Sequence, residues 1–293
     1  MRGRFVWEDL MTTDTKAAAA FYNKVAGLKT APAPSDPSYT TFMAGGAGMG
    51  GLMRMADEAK AMGAPPNWLS YVGTESVDNT LHRAELLGGR VLKPAADIPN
   101  VGRFAILRDP QGAVFAVFST TQSLPAASSV PVGHMSWHEL ATSDMNAAFL
   151  FYQQLFGWHV VSDMDMGAMG TYRVFAAEGS NDTMGGMYSK PPESPRPSAW
   201  LPYIKVADVK AATAKAKALG AAIFHGPAQV PGGGWITMGA DPQGAAFALH
   251  QTAAAPSRAA ASPKRKPKAS AKKKAAPRKK SAKKAKRKAG SKK

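Results

Sequence analysis

One phrase constrains this 293-residue chain more than any other, because it is written twice. Asp109-Pro110-Gln111-Gly112-Ala113-Val114-Phe115-Ala116-Val117-Phe118 returns about 130 residues later as Asp241-Pro242-Gln243-Gly244-Ala245-Ala246-Phe247-Ala248-Leu249-His250. Asp-Pro-Gln-Gly is a tight turn: Pro presets φ at the second position, and Gly accepts the positive φ that follows. The apolar run after it reads as a short buried strand. A turn and strand repeated at that separation imply a duplicated domain.

The rest of each copy supports this. Phe5–Asp14 and Met135–Asp144 each alternate apolar and polar residues, as a half-buried strand does, and each ends on an Asp suited to cap a helix. Helices are predicted over Ala17–Ala26 and Ala147–Phe156, each stopping at a glycine, Gly27 or Gly157. Phe21 with Val25, and Phe151 with Leu155, sit four apart on one face and read as core. Glycine-jointed strands follow, through Tyr39–Met43 and Met49–Leu52 in one copy and Tyr172–Phe175 and Met184–Met187 in the other. A second strand begins at Trp68 or Trp200, and helices over Val77–Leu87 and Val209–Leu219 come next. Each copy therefore reads βαβββ twice. The expected class is α+β, with two tandem domains, each a curled mixed sheet around a cleft. The expected boundaries are 1–122 and 131–252, a Pro-interrupted linker at 123–130, and a tail at 253–293.

The Trp-x-x-Leu-x-x-x-Asp opening, the Phe-Tyr on the first helix and the Asp-Pro-x-Gly before the last strand, in this order and twice over, resemble the vicinal oxygen chelate superfamily. That superfamily includes glyoxalase I, extradiol dioxygenases and bleomycin-resistance proteins. The resemblance covers about residues 5–120 and 134–251 and is nearest the tandem glyoxalase-like branch. It implies a cleft for a small molecule in each domain.

In the family's metal enzymes a first-strand His and a last-strand Glu hold a divalent ion. Those positions fall here on Trp7 and Trp137, and on Ala116 and Ala248; the two others per copy fall near Gly51 and Leu69, and near Gly186 and Leu201. None is a ligand type. The expectation is a cleft with no metal and no cofactor, and a metal-dependent lyase or dioxygenase is the rival reading. Trp7, Asp9, Trp68, Trp137 and Trp200 are expected to bind the ligand, because flat rings with one N–H donor suit a planar or apolar molecule. If the chain is an enzyme, Glu139 and His250 are the candidates. Residues two apart on a strand share a face, so both point into the second cleft, where they can form a carboxylate–imidazole pair. His138 alternates away from that face.

The net charge of +17 belongs to one segment. Residues 253–293 hold 18 of the 37 Lys and Arg and no acid, which leaves 19 basic against 20 acidic residues in 1–252. A Lys/Ala/Pro-rich tail of this kind resembles those of linker histones. It has no side chains to build a core and is expected to be disordered and to attach to nucleic acid without sequence preference. A nucleoid-associated protein acting through the tail is thus a third reading. The absence of cysteine excludes disulfides and thiolate catalysis. No segment has the apolar length to span a membrane, and Glu8 and Asp9 interrupt any leader-like run, so a cytoplasmic protein is expected. Whether the copies pair with each other or across a homodimer is left open.

Overall fold

The computed structural model describes residues 2–33, 39–61, 63–120 and 130–253. The tail, most of the linker and the expectations attached to them lie outside the described residues. Residues 1–254 form one compact unit.

The first copy runs β1 (Phe5–Thr12), α1 (Thr15–Ala26), β2 (Lys29–Pro32), β3 (Thr40–Ala44), β4 (Ala47–Arg54), a short α2 (Asp57–Ala61), β5 (Asn67–Gly73), α3 (Val77–Leu86), β6 (Arg90–Ile98), β7 (Gly102–Arg108) and β8 (Val114–Ser119). The second runs β9 (Met135–Thr142), α4 (Met145–Phe156), β10 (His159–Asp165), β11 (Thr171–Ala176), β12 (Thr183–Ser189), β13 (Ala199–Lys205), α5 (Val209–Ala218), β14 (Ala222–Gln229), β15 (Trp235–Ala240) and β16 (Ala246–Gln251). Each forms an eight-stranded mixed sheet, ordered β2-β3-β4-β1-β5-β8-β7-β6 and β10-β11-β12-β9-β13-β16-β15-β14. The α+β tandem architecture is the expected one. His225 lies within β14, which continues through a bulge to Gln229.

Local chemistry sets the ends of these elements. Asp14 and Asp144 each accept a hydrogen bond from the backbone N–H three residues on, Ala17 or Ala147, at 3.0 Å. Gly27 and Gly157 close α1 and α4 in the left-handed region, at φ 73° and 77°. In the repeated turns Asp109 Oδ1 accepts from the N–H groups of Gln111 and Ala113, and Asp241 Oδ1 from those of Gln243 and Ala245.

The other oxygen of each turn aspartate explains why the chain is one unit. Asp241 Oδ2 accepts from Tyr22 on α1 at 3.0 Å, and Asp109 Oδ2 accepts from Tyr152 on α4 at 2.9 Å. Each copy's first helix is thereby tied to the last turn of the other copy. Packing follows the same reciprocity. Phe21, Tyr22 and Val25 bury against Ile204, Phe247 and Leu249, while Phe151, Tyr152 and Phe156 bury against Val72, Phe115 and Val117. Each such ring, fully removed from water, contributes about 1.5–3 kcal/mol. α1 and α4 pack behind the other copy's sheet, and at the centre β5 and β8 meet β13 and β16 directly, so the opposite face of each sheet is the one that can form a cleft.

Candidate functional site

In each sheet one row of side chains crosses the cleft floor. Strand register places Trp7 opposite Tyr71 and Tyr71 opposite Ala116; in the second sheet Trp137 faces Tyr203 and Tyr203 faces Ala248. One pleat along lie Asp9, between Gly51 and Leu69, and Glu139, between Gly186 and Leu201. Tyr71 and Tyr203, rather than Leu69 and Leu201, therefore complete the row that carries Trp and Ala.

The first carboxylate is closed over. Asp9 is 5 % exposed. Oδ1 accepts from Trp7 Nε1 at 3.0 Å and from the Tyr39 hydroxyl, and Oδ2 accepts from the Tyr71 hydroxyl at 2.7 Å. Trp7 Nε1 also lies 2.9 Å from the Tyr39 oxygen. Gly51 makes this possible, since a Cβ there would overlap both the Tyr39 hydroxyl and Asp9 Oδ1. Burial raises the Asp9 pKa, opposed by the three hydrogen bonds, and raises those of Tyr39 and Tyr71, reinforced by the adjacent carboxylate.

The second carboxylate is built from the equivalent residues but is more open. Tyr172 donates to Glu139 Oε2 at 3.0 Å and accepts from Trp137 Nε1 at 2.8 Å. Gly186 leaves room for the Tyr172 ring as Gly51 does for Tyr39. The indole no longer reaches the carboxylate, and Tyr203 faces Glu139 without closing a hydrogen bond. Glu139 stays half-buried. Burial again raises its pKa, opposed by Tyr172 and Tyr203. Tyr188, stacked on Tyr172 with centroids 6.2 Å apart, extends the aromatic wall. The longer Glu side chain, with fewer donors around it, is less enclosed than Asp9.

Three expectations are corrected. Glu139 and His250 do not pair. A bulge in β9 sets Ser136 Oγ 2.9 Å from His250 Nδ1, and burial together with Lys205 lowers the His250 pKa. Trp68 and Trp200 are not in the clefts. They alternate with the inward-facing Leu69 and Leu201, so they point backward, where Trp68 donates to Tyr22 at 3.1 Å and Trp200 to Tyr152 at 2.9 Å. Asp9 lies in its cleft, but both its oxygens are engaged. Trp7 and Trp137 remain as half-buried walls.

A metal does not fit either floor. Indole, phenol and methyl groups occupy the row, and both oxygens of Asp9 are already bonded. Among the described residues no three His, Asp, Glu or Cys side chains cluster closely enough to share an ion. No described helix is long and apolar enough to cross a membrane.

Sequence reasoning missed a further polar pair. Glu8 and His138 hold equivalent places in the two copies, and both face away from the clefts. They meet between the domains, with His138 Nε2 2.7 Å from Glu8 Oε1 and both side chains buried. Their equivalence in the repeat was the available signal.

Known proteins share this arrangement. The model of the glyoxalase/bleomycin resistance protein/dioxygenase superfamily matches residues 132–249, and that of the glyoxalase-like domain matches residues 6–118. A candidate glyoxylase of Mycobacterium tuberculosis, CFP32, is 32 % identical over 253 residues, covering 83 % of this chain and 92 % of its own. The anthracycline biosynthesis protein DnrV of Streptomyces peucetius is 30 % identical over 260 residues, covering 84 % and 92 %. Among solved structures, the Mn(II)-bound glyoxalase of Novosphingobium aromaticivorans superposes with a TM-score of 0.58 at 18 % identity, over 85 % of this chain and 81 % of that one. The 2,2',3-trihydroxybiphenyl 1,2-dioxygenase of Sphingomonas wittichii RW1 gives 0.62 at 10 % identity, over 86 % and 91 %. With both halves matched and its relatives spanned almost end to end, the chain belongs to the glyoxalase/bleomycin resistance protein/dioxygenase superfamily.

Proposed function

We propose that the second domain binds a small, partly apolar molecule against Glu139, between the rings of Trp137, Tyr172 and Tyr203, and that it does so without a metal. The observation that carries this reading is the half-buried Glu139 carboxyl, held on one oxygen by Tyr172 while its counterpart Asp9 is sealed. A carboxyl whose pKa burial has raised can donate to a carbonyl oxygen when protonated and accept from a hydroxyl when ionised. The rings offer flat apolar surface for a planar molecule, which suits the kinship with proteins named for anthracycline biosynthesis. Any reaction here would use Glu139 as the proton-exchanging group; His250, engaged with Ser136, would not act directly with it.

The test is a tryptophan-fluorescence titration of the full chain with planar aromatic ketones, read against Glu139→Gln. Loss of the carboxyl should weaken binding about tenfold, the value of one buried hydrogen bond. Unchanged affinity in the variant would place the ligand elsewhere. Elemental analysis of protein purified without chelator decides the other half: near-stoichiometric manganese, iron, nickel or zinc would move a metal-dependent lyase or dioxygenase ahead of this reading.

We also propose that residues 253–293 attach the chain to nucleic acid. Eighteen cations with no acid, set against a nearly neutral remainder, support this. Retention on DNA should fall steeply with salt and vanish when residues 253–293 are deleted, with cleft binding intact. Such a protein would be cytoplasmic and nucleoid-associated.

A further inference from the structure

Between the domains lies a recess of about 640 Å³ that belongs to neither cleft. His138 forms part of its wall. The imidazole is fixed on two sides: Nε2 meets Glu8 at 2.7 Å, and one ring face stacks on Phe5 with centroids 3.7 Å apart and planes within 5°. Nδ1 is the remaining polar atom of the ring, and it is not among the buried polar atoms that lack a partner. Glu8 is 2 % exposed, and its second oxygen, Oε2, makes no hydrogen bond. A buried acid that orients a histidine in the wall of a recess is an arrangement in which the imidazole can make a hydrogen bond to a ligand.

The two copies differ at the recess. Across the pseudo-twofold, His138 corresponds to Glu8, Phe5 to Met135, and Asn181-Asp182-Thr183 to Gly46-Ala47-Gly48. Polar side chains replace small residues on one side only. A pair needed merely to hold the domains together has no use for this one-sided loop. The other walls are mixed: Met135 and Met184 supply apolar surface, Thr183 and Asn181 supply polar groups, and Arg4 stands at the rim, bonded to Ser180.

We infer that this recess is a second binding site, for an uncharged small molecule with an aromatic or apolar body and a hydroxyl group that donates to Nδ1 of His138. Glu8, held against Nε2, orients the ring so that Nδ1 is the atom left to meet the ligand hydroxyl. The methionines adapt to the body of the ligand, and the polar loop closes over its edge. The charges around the recess are paired, Arg4 with Asp182 at 3.8 Å and Glu8 with His138, which suits an uncharged ligand.

The probe is 4-fluorophenol, titrated into the full chain with ¹⁹F detection of the ligand and ¹H–¹⁵N long-range correlation of the histidine rings. Binding should shift the Nδ1 resonance of His138. Met184→Trp, which fills the recess without touching the pair, should weaken that binding about tenfold or more, whereas Glu139→Gln should leave it unchanged. The inference is overturned if the His138 ring does not respond to the phenol, if Met184→Trp binds as the parent does, or if Glu139→Gln removes the response. His138→Asn and Glu8→Gln add the direct test where they fold, and Met184→Trp with the ring resonance decides where they do not.

Discussion

The two clefts are made from the same parts, and only one is closed. Trp7, Tyr39, Asp9, Tyr71 and Gly51 in the first correspond to Trp137, Tyr172, Glu139, Tyr203 and Gly186 in the second. A single methylene separates the two carboxyls. With the shorter side chain, three donors converge on the oxygens and the group disappears from solvent. With the longer one, the indole turns to the tyrosine instead and one phenol is left facing the acid. The lesson is that a duplicated site can be converted between a structural network and a reachable one by the reach of one side chain.

The comparison breaks most visibly if the acids are removed. Asp9→Ala leaves the Tyr39 and Tyr71 donors unmatched, while Trp7 keeps the Tyr39 oxygen, and the expected loss is roughly 3–5 kcal/mol. Glu139→Ala unpairs one phenol beside partly open space, with an expected loss of about 1 kcal/mol. Urea denaturation of both variants measures the difference. Equal losses would mean that the two networks carry the same structural weight and that the closed-versus-open distinction is wrong.

The cradle glycines give a smaller and more discriminating effect. Gly51→Ala forces a Cβ into a phenol that is pinned through Asp9, and should cost roughly 2–3 kcal/mol. In Gly186→Ala the Tyr172 ring has fewer restraints and can swing into the cleft, so about 1 kcal/mol is expected in stability, together with a loss of ligand response at Glu139. If Gly186→Ala instead destabilises as strongly as Gly51→Ala and binding survives, Tyr172 is a fixed wall and not a movable partner.

Much of this was legible in the sequence for a definite reason. Capping aspartates, terminal glycines and the Asp-Pro-Gln-Gly turn act locally, so the spacing of Asp14, Gly27, Asp109 and their copies was enough to order the elements. Facing was legible from alternation where the strand is regular, as for Trp137, Glu139 and the back-facing His138. It failed for the Glu139–His250 pair, because a bulge in β9 brings Ser136 to His250, and for Trp68 and Trp200, because their composition suggested a ligand wall while their strand parity put them behind it. The interdomain bonds, Tyr22 to Asp241 and Tyr152 to Asp109, join residues 219 and 43 apart and have no local signature. Both tyrosines and both aspartates stood out as repeated motifs, but only the fold shows that each motif of one copy binds its complement in the other.

Acidity sharpens the comparison by the smallest margin. Burial raises the pKa of both Asp9 and Glu139, so between the ordinary value and the raised one the folded state binds more proton than the unfolded chain. The stability from such a group is fully present below the ordinary carboxylate range and is lost as pH rises through the raised value. Thermal melts of the full chain from about pH 4 to pH 8 should therefore show a stability component that declines with rising pH. Glu139→Gln removes one raised group while keeping its shape, and should flatten that decline. Asp9→Asn removes the other raised group, but its amide cannot match three donors, so its melts should sit lower at every pH while also flattening. If Glu139→Gln leaves the slope unchanged, the Glu139 carboxyl is as well hydrated in the fold as in the unfolded chain. The second cleft would then be wet and open, and the pairing of a proton-exchanging acid with an apolar ligand would lose its physical basis.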